Sequence, residues 1–434
     1  MTTEKEGKIE NVFDVLTFTI PLLTGIYLFF TPFPHTTSIK EFCFYISLLA
    51  LITLLIFKKT NFSLRSPLTL PFVLFLLWVI FGLFFALDLT NSIYDMWTHF
   101  LKYLVIYYLL VNYFNSPRKL EILSWIMISS STIFALGAVI DFYFIDGNPF
   151  SARLGTTFLE IHTDYIGIVL IFALTLTLNK LFNNKTITVK SLLLISAFIM
   201  CFTTLLTQSR GALIGLFIAM VILSCLNKKA LILIIMAILT VVMIPGFKER
   251  INPKEIFQNE RIQINALTME VIKSYPITGI GFGMQIYGNK NLVDLKNFDS
   301  RLPKKYQGGV GGKYYDSPHN TALDIAVRTG IIGLILFFNI VLTAMWMLWK
   351  ILRLTESKYL KSWTICLIAC LMSFLIPALF LDTTFGPQAK VFYTILAMIT
   401  LLWDITSSPL AAGADSTLTQ DHTRESHIKR KQDT

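Results

Sequence analysis

Apolar runs long enough to cross a lipid bilayer recur along nearly the whole chain. A hydrocarbon core about 30 Å thick takes about 20 helical residues. Most runs here are of that size: about 12–31, 40–57, 68–87, 94–113, 120–142, 163–182, 191–208, 211–227, 229–246, 324–349, 362–381 and 389–406. The expectation is an all-α polytopic membrane protein with about twelve transmembrane helices and one long, partly helical loop. Composition agrees. The chain is 54% hydrophobic and 15% charged, where soluble domains usually carry about 25% charged residues. The first run follows TTEKEGKIEN and carries Asp14 and Pro21. Without a small-residue cleavage site it reads as a first span, not a signal peptide.

Basic residues in the short loops set the orientation. Loops at 58–65, 118–119, 180–190, 228–229 and 350–361 are rich in Lys and Arg. The alternate loops carry few bases, among them Lys40, Arg153, Arg210 and Lys390. Both termini are then cytoplasmic, and the polar segment 247–320 faces the other side. The expected organisation is nine spans over 1–246, a long extracytoplasmic loop over 247–320, three spans over 321–406, and a disordered cytoplasmic tail over 407–434. The net charge of +10 follows from this loop pattern and argues for no nucleic-acid partner. The five cysteines, Cys43, Cys201, Cys225, Cys366 and Cys370, lie in or beside apolar runs. That placement makes neither a disulfide framework nor a zinc site.

Candidate chemistry gathers on the outer side. Arg210 stands in TQSRGALIG, where Gly211, Ala212 and Gly215 let helices approach closely. Two readings are open for it: a snorkelling interfacial cation, or a planar fork for phosphate oxygens. Arg261 opens a stretch, 260–274, that reads as an amphipathic helix with Ile262, Leu267, Val271 and Ile272 on its apolar side. Tyr275-Pro276 ends that helix, and Gly279, Gly281 and Gly283 suggest a flexible turn. An ordinary surface ion pair is the plain alternative for Arg261.

His319 precedes Asn320 in YYDSPHNTALDIAVRTGIIGL, where Pro318 and Asn320 suit a helix start. The imidazole is either a structural group or a proton acceptor near neutral pH. His162, at the start of another span on the same side, is its rival. Arg153 is a third outer cation, either lining the same cavity or anchoring the interface. Lys102 lies within or beside a span and needs a partner, with Asp95 or a substrate phosphate as candidates. Outer Asp and Glu residues are scattered, without the helical spacing of a paired-carboxylate site. No DxD pair, P-loop or nucleophile elbow is present.

SRGA at an outer hairpin, the arginine helix, the PITGIGFG turn and the HN pair before TGIIGL together resemble the O-antigen ligase family. That family belongs to a superfamily that also holds O-antigen polymerases and protein O-oligosaccharyltransferases. The resemblance is concentrated in about 200–335. It implies a bacterial inner-membrane glycosyltransferase acting on the periplasmic side, inverting, and using no metal or cofactor. The donor would be polysaccharide on undecaprenyl diphosphate, and the acceptor lipid A-core oligosaccharide. Arg210 and Arg261 match the arginines that hold the donor diphosphate, and His319 matches the catalytic histidine. Arg153, Asn320 and Lys102 are further substrate-binding candidates. One departure is Arg328, where relatives often carry an acidic residue. A polymerase is the nearest alternative, although this chain has one long outer loop and not two. A solute transporter is a different class, and would call for ionisable residues or broken helices near the midplane.

Overall fold

The structure, a computed structural model, describes residues 2–155, 163–228, 260–308 and 314–407. It is helical, with no strand among the described residues. Within lipid, each backbone polar group must be paired inside the protein, and a helix does this within one segment. The elements used below are α1 (Thr2–Phe29), α2 (Thr37–Ile56), α3 (Thr69–Leu83), α4 (Leu89–Asp95), α5 (Lys102–Tyr113), α6 (Pro117–Val139), α7 (Thr163–Asn183), α8 (Ile187–Leu206) and α9 (Arg210–Leu223). After them come α10 (Glu260–Ser274), α11 (Leu295–Ser300), α12 (Thr321–Leu354), α13 (Lys358–Ala378) and α14 (Gly386–Ser407).

Eight of the described helices are long and apolar enough to cross a membrane: 11–29, 37–56, 117–145, 165–183, 187–206, 321–354, 358–378 and 388–407. Thr69–Leu83 and Arg210–Leu223 are apolar but shorter. The run expected at 94–113 is a composite. A π-helical turn, Met96–Leu101, joins α4 to α5. The span expected at 229–246 and nearly all of the tail lie outside the described residues. α7 is the centre of the bundle, with 89% of its spanning window buried, against 28% for α1. Outer helices turn large apolar side chains away from the protein, among them Phe18, Leu49, Leu77, Phe198 and Leu342. So large an apolar surface suits lipid, not water.

α12 is not one continuous rod. Gly330 has φ 72° and ψ 179°, which breaks the helix after its first nine residues. The break frees carbonyls that an intact helix would use, and a distant segment satisfies them. Ile280 N donates to Val327 O at 2.9 Å and Gly281 N to Arg328 O at 3.2 Å. Trp78 Nε1 donates to Thr329 O at 2.8 Å. In return Ile331 N donates to Pro276 O at 2.9 Å.

The glycines of PITGIGFG are therefore not a flexible turn. A Cβ on Gly279, whose φ is +71°, would lie 2.5 Å from Arg328 C. This close approach is why glycine is required. Around it, residues from α10, α11 and their connections form a second small core with Ala326 and Val327. The buried stripe of α10 is Ile264, Leu267, Thr268, Val271 and Ile272, which follows the i, i+3, i+4, i+7 rule. Ile262, expected on that stripe, is 42% exposed.

Candidate active site

The segment entering α12 carries the histidine. Asn320 caps the helix, its Oδ1 accepting from Ala322 N at 3.0 Å and Leu323 N at 3.2 Å; such a cap contributes about 1 kcal/mol. His319, just before it, has φ +49°. That left-handed conformation is costly for a residue with a Cβ, on the order of 1–3 kcal/mol. Asp382 offsets the cost. Its Oδ2 accepts from His319 N at 3.2 Å and its Oδ1 from Asn320 N at 3.1 Å. Ser317 Oγ donates to the same carboxylate. His319 Nδ1 lies 3.5 Å from Asp382 Oδ2, and the Tyr315 ring packs edge-on against the imidazole at 5.2 Å. Burial raises the Asp382 pKa above the usual carboxylate range, opposed by these hydrogen bonds and by the charge of Arg328.

Asp382 belongs to the connection 379–385 between α13 and α14, and this short stretch gathers the other candidates. Arg261 Cζ stands 5.9 Å from the centre of the Phe380 ring. On the other side, α9 packs against α13 through its small residues. A Cβ at Gly215 would lie 2.8 Å from Ser373 O, and on the α7 side of α9 a Cβ at Gly167 would lie 2.4 Å from Ala212 Cβ. Gly211 then faces Leu381, whose Cδ1 is 3.5 Å from its Cβ position. Arg210 follows the Ser209 cap at the start of α9. It is exposed and makes no hydrogen bond or ion pair among the described residues. Three consecutive residues, Phe380, Leu381 and Asp382, thus adjoin Arg261, the Arg210 turn and His319.

The connection is tied down at both ends. Thr321 Oγ1 donates to Leu381 O at 2.6 Å and accepts from Thr383 N at 3.0 Å. Thr384 Oγ1 donates to Asp324 Oδ2 at 2.6 Å. Arg328 is the deeper clamp, 3% exposed. Its guanidinium donates from Nη1 to Asp324 Oδ2 at 3.2 Å and from Nε to Phe282 O at 3.0 Å. It also sits between the Phe282 and Phe385 rings, 4.3 and 3.7 Å from their centres. The carboxylate that pairs with Arg328 thus stands one helical turn earlier, at Asp324. A cavity of about 50 Å³ adjoins the clamp, walled by Thr321, Thr383, Thr384, His99 and phenylalanine side chains.

The remaining candidates have other neighbours. Lys102 is buried and paired with Glu41, 2.6 Å from Oε2, and lies over the Phe44 and Tyr45 rings. Its protein partner is therefore Glu41 and not Asp95. Asp95 accepts from Met284 N at 2.7 Å instead. Arg153 donates from Nε to Thr207 O at 2.9 Å, bracing the turn that leads to Arg210. His162 lies outside the described residues. Asp382, Asp324 and Glu41 were not singled out in the sequence. An acidic residue in a polar break between two apolar runs, as in LDTTFGP, is the one signal that pointed to Asp382.

A cation, an imidazole and a carboxylate stand together at one end of the helical bundle, groups able to hold an anion and to move a proton. Residues 195–338 match the family model Wzy_C, described as O-antigen ligase. The matched stretch is about a third of the chain and contains Arg210, Arg261 and His319, but not Asp382. No curated protein matches the chain. The matched stretch is similar to the O-antigen ligase family, within the O-antigen ligase/polymerase superfamily.

Proposed function

We propose that the protein is an O-antigen ligase of the bacterial inner membrane. It transfers polysaccharide from undecaprenyl diphosphate to a sugar hydroxyl of lipid A-core on the periplasmic face. The two termini are cytoplasmic, as the loop charges imply, and 247–320 is the outer loop. The observation that carries this reading is the convergence of Arg261, the Arg210 turn and the His319–Asp382 pair on residues 380–382.

The chemistry follows from that placement. Asp382 accepts a proton-bearing Nδ1 and leaves Nε2 of His319 as the basic nitrogen. Nε2 takes the proton of the acceptor hydroxyl as its oxygen attacks the anomeric carbon. The bond to the diphosphate oxygen breaks on the opposite face, which inverts the anomeric centre. Negative charge grows on the departing diphosphate, where Arg210 and Arg261 stabilise it. Diphosphate leaves readily, so the scheme needs no general acid. The twelve-span organisation belongs to this reading, with 94–113 and 229–246 completing the eight long helices and two short ones.

The test is a lipopolysaccharide gel run beside an analysis of lipid-linked glycans. A deletion strain is complemented with wild type or with His319→Ala. Rough lipopolysaccharide with full-length polymer left on the carrier is the expected result for the variant. Core capped by a single repeat unit would mean a polymerase. Normal ladders in both strains would remove the glycan reading.

A further inference from the structure

The end of the bundle opposite His319 holds a polar pocket of about 530 Å³. The last turn of α7, the turn into α8 and the first turns of α13 enclose it, with Glu121 of α6 in its wall. α13 runs from Lys358 at this pocket to Ala378 beside the Asp382 connection. At about 1.5 Å per residue the two sites are about 30 Å apart, one hydrocarbon thickness.

The wall of this pocket is built. Glu121 receives Lys180 at Oε2, and Tyr359 Oη and Trp363 Nε1 at Oε1, each at 3.1 Å. Lys180 is buried and lies 5.1 Å from the Trp125 ring centre. Ser362 donates to Asn179 Oδ1 at 2.7 Å and accepts from Asn183 Nδ2 at 2.6 Å. The carboxylate in the lining is therefore fully engaged, and Lys180 balances its charge.

Two lining cations remain over. Lys185 and Lys358 are exposed and form no ion pair among the described residues. Beside them in the chain stand Ile187, 75% exposed, and Leu354, 67% exposed. The site thus combines uncompensated positive charge, hydroxyl and amide groups, indole and phenol rings, and apolar flanks. Aromatic side chains of this kind sit at headgroup level, and basic pockets between spans at this depth take lipid headgroups. A soluble anion would have no use for the flanks.

We propose that this pocket holds the phosphate headgroup of an anionic phospholipid, with acyl chains lying along Ile187 and Leu354. It is separate from the transfer site and does not depend on which glycan the protein moves. The full chain is reconstituted with equal amounts of phosphatidylglycerol and phosphatidylethanolamine, extracted in mild detergent, and weighed intact by native mass spectrometry. Wild type is expected to retain phosphatidylglycerol selectively. Lys185→Ala/Lys358→Ala should lose that preference by ten- to about thirtyfold, given the contribution of each base near a charged lipid. Lys185→Arg/Lys358→Arg should keep it, which separates lost charge from lost folding. Equal retention in wild type and the alanine variant, or no preference between the two lipids, would overturn the proposal. So would displacement of the lipid by millimolar inorganic phosphate, which would make this a site for a soluble anion.

Discussion

The carboxylate of Asp382 accepts from the backbone of both His319 and Asn320, at 3.2 and 3.1 Å, and lies 3.5 Å from His319 Nδ1. One side chain therefore fixes the strained backbone of the histidine and the orientation of its ring. A residue in α13's outgoing connection governs a residue at the mouth of α12.

That double role sets opposite pH trends for stability and activity. Burial raises the Asp382 pKa. A folded-state pKa above the unfolded value means that the group's stabilising contribution is full below about pH 4, the ordinary carboxylate range. It is lost as pH rises through the raised value. Transfer should rise over the same interval, because the ionised carboxylate stabilises the positive charge that His319 takes up with the proton. Asp382→Asn should abolish both trends and lower transfer by on the order of a hundredfold, as for loss of general-base catalysis. Melting curves and initial rates across this pH range check it. An Asn variant that keeps the wild-type acid limb would remove Asp382 from the mechanism.

Arg210 predicts the opposite balance, function without stability. It is exposed and makes no hydrogen bond or ion pair among the described residues. Arg210→Lys should leave the melting temperature unchanged and still reduce transfer by ten- to about a hundredfold, because a point charge replaces a bidentate fork. Transfer at wild-type rate by the lysine variant would return Arg210 to the interface.

Much of this was legible in sequence where the signal is local. Span lengths follow from apolar runs, Asn320 was placed at a helix start by its neighbours, and α10 was read from its period. What escaped was long-range. Asp382 lies 63 residues from His319 along the chain, and Glu41 lies 61 from Lys102. No periodicity links such pairs. The break at Gly330 was hidden for a related reason. TGIIGL reads as continuous span because the groups that satisfy the freed carbonyls come from residues 280–281 and from Trp78. Ile262 is apolar yet lies off the buried stripe, so residue type alone does not place it.

Gly330 offers a test of the broken helix. A Cβ there would lie 1.8 Å from Ile277 O, at a φ of +72°. Gly330→Ala should therefore separate the PITGIGFG turn from α12 and cost well over 1 kcal/mol, because the backbone is incompatible with a side chain. Gly137→Ala is the control. It lies within α6, with nothing inside 4 Å of its Cβ position, and should be neutral or stabilising by up to about 1 kcal/mol. Thermal unfolding in detergent compares them. Equal melting temperatures for both variants would mean that the contact between turn and helix carries no stability.

Arg328 tests whether the clamp stabilises or only positions. Its guanidinium and Asp324 are both almost fully enclosed, 3% and 6% exposed in their side chains. Removing one member of such a pair leaves a buried charge without its partner and costs about 3–5 kcal/mol. Arg328→Met should therefore be severely destabilising alone. Arg328→Met/Asp324→Leu removes both charges, and should recover most of the loss because a buried pair often breaks even with apolar replacements. Recovery of folding need not restore function, because Thr384 would lose its acceptor on Asp324 and Phe385 its cation. The double variant is thus expected to melt near wild type but to transfer glycan poorly, with the Thr384 and Phe385 end of the connection loosened from α12. A double variant as unstable as Arg328→Met would show that the hydrogen bonds of Arg328 to Phe282 O, and not its pairing with Asp324, hold this end of the protein together.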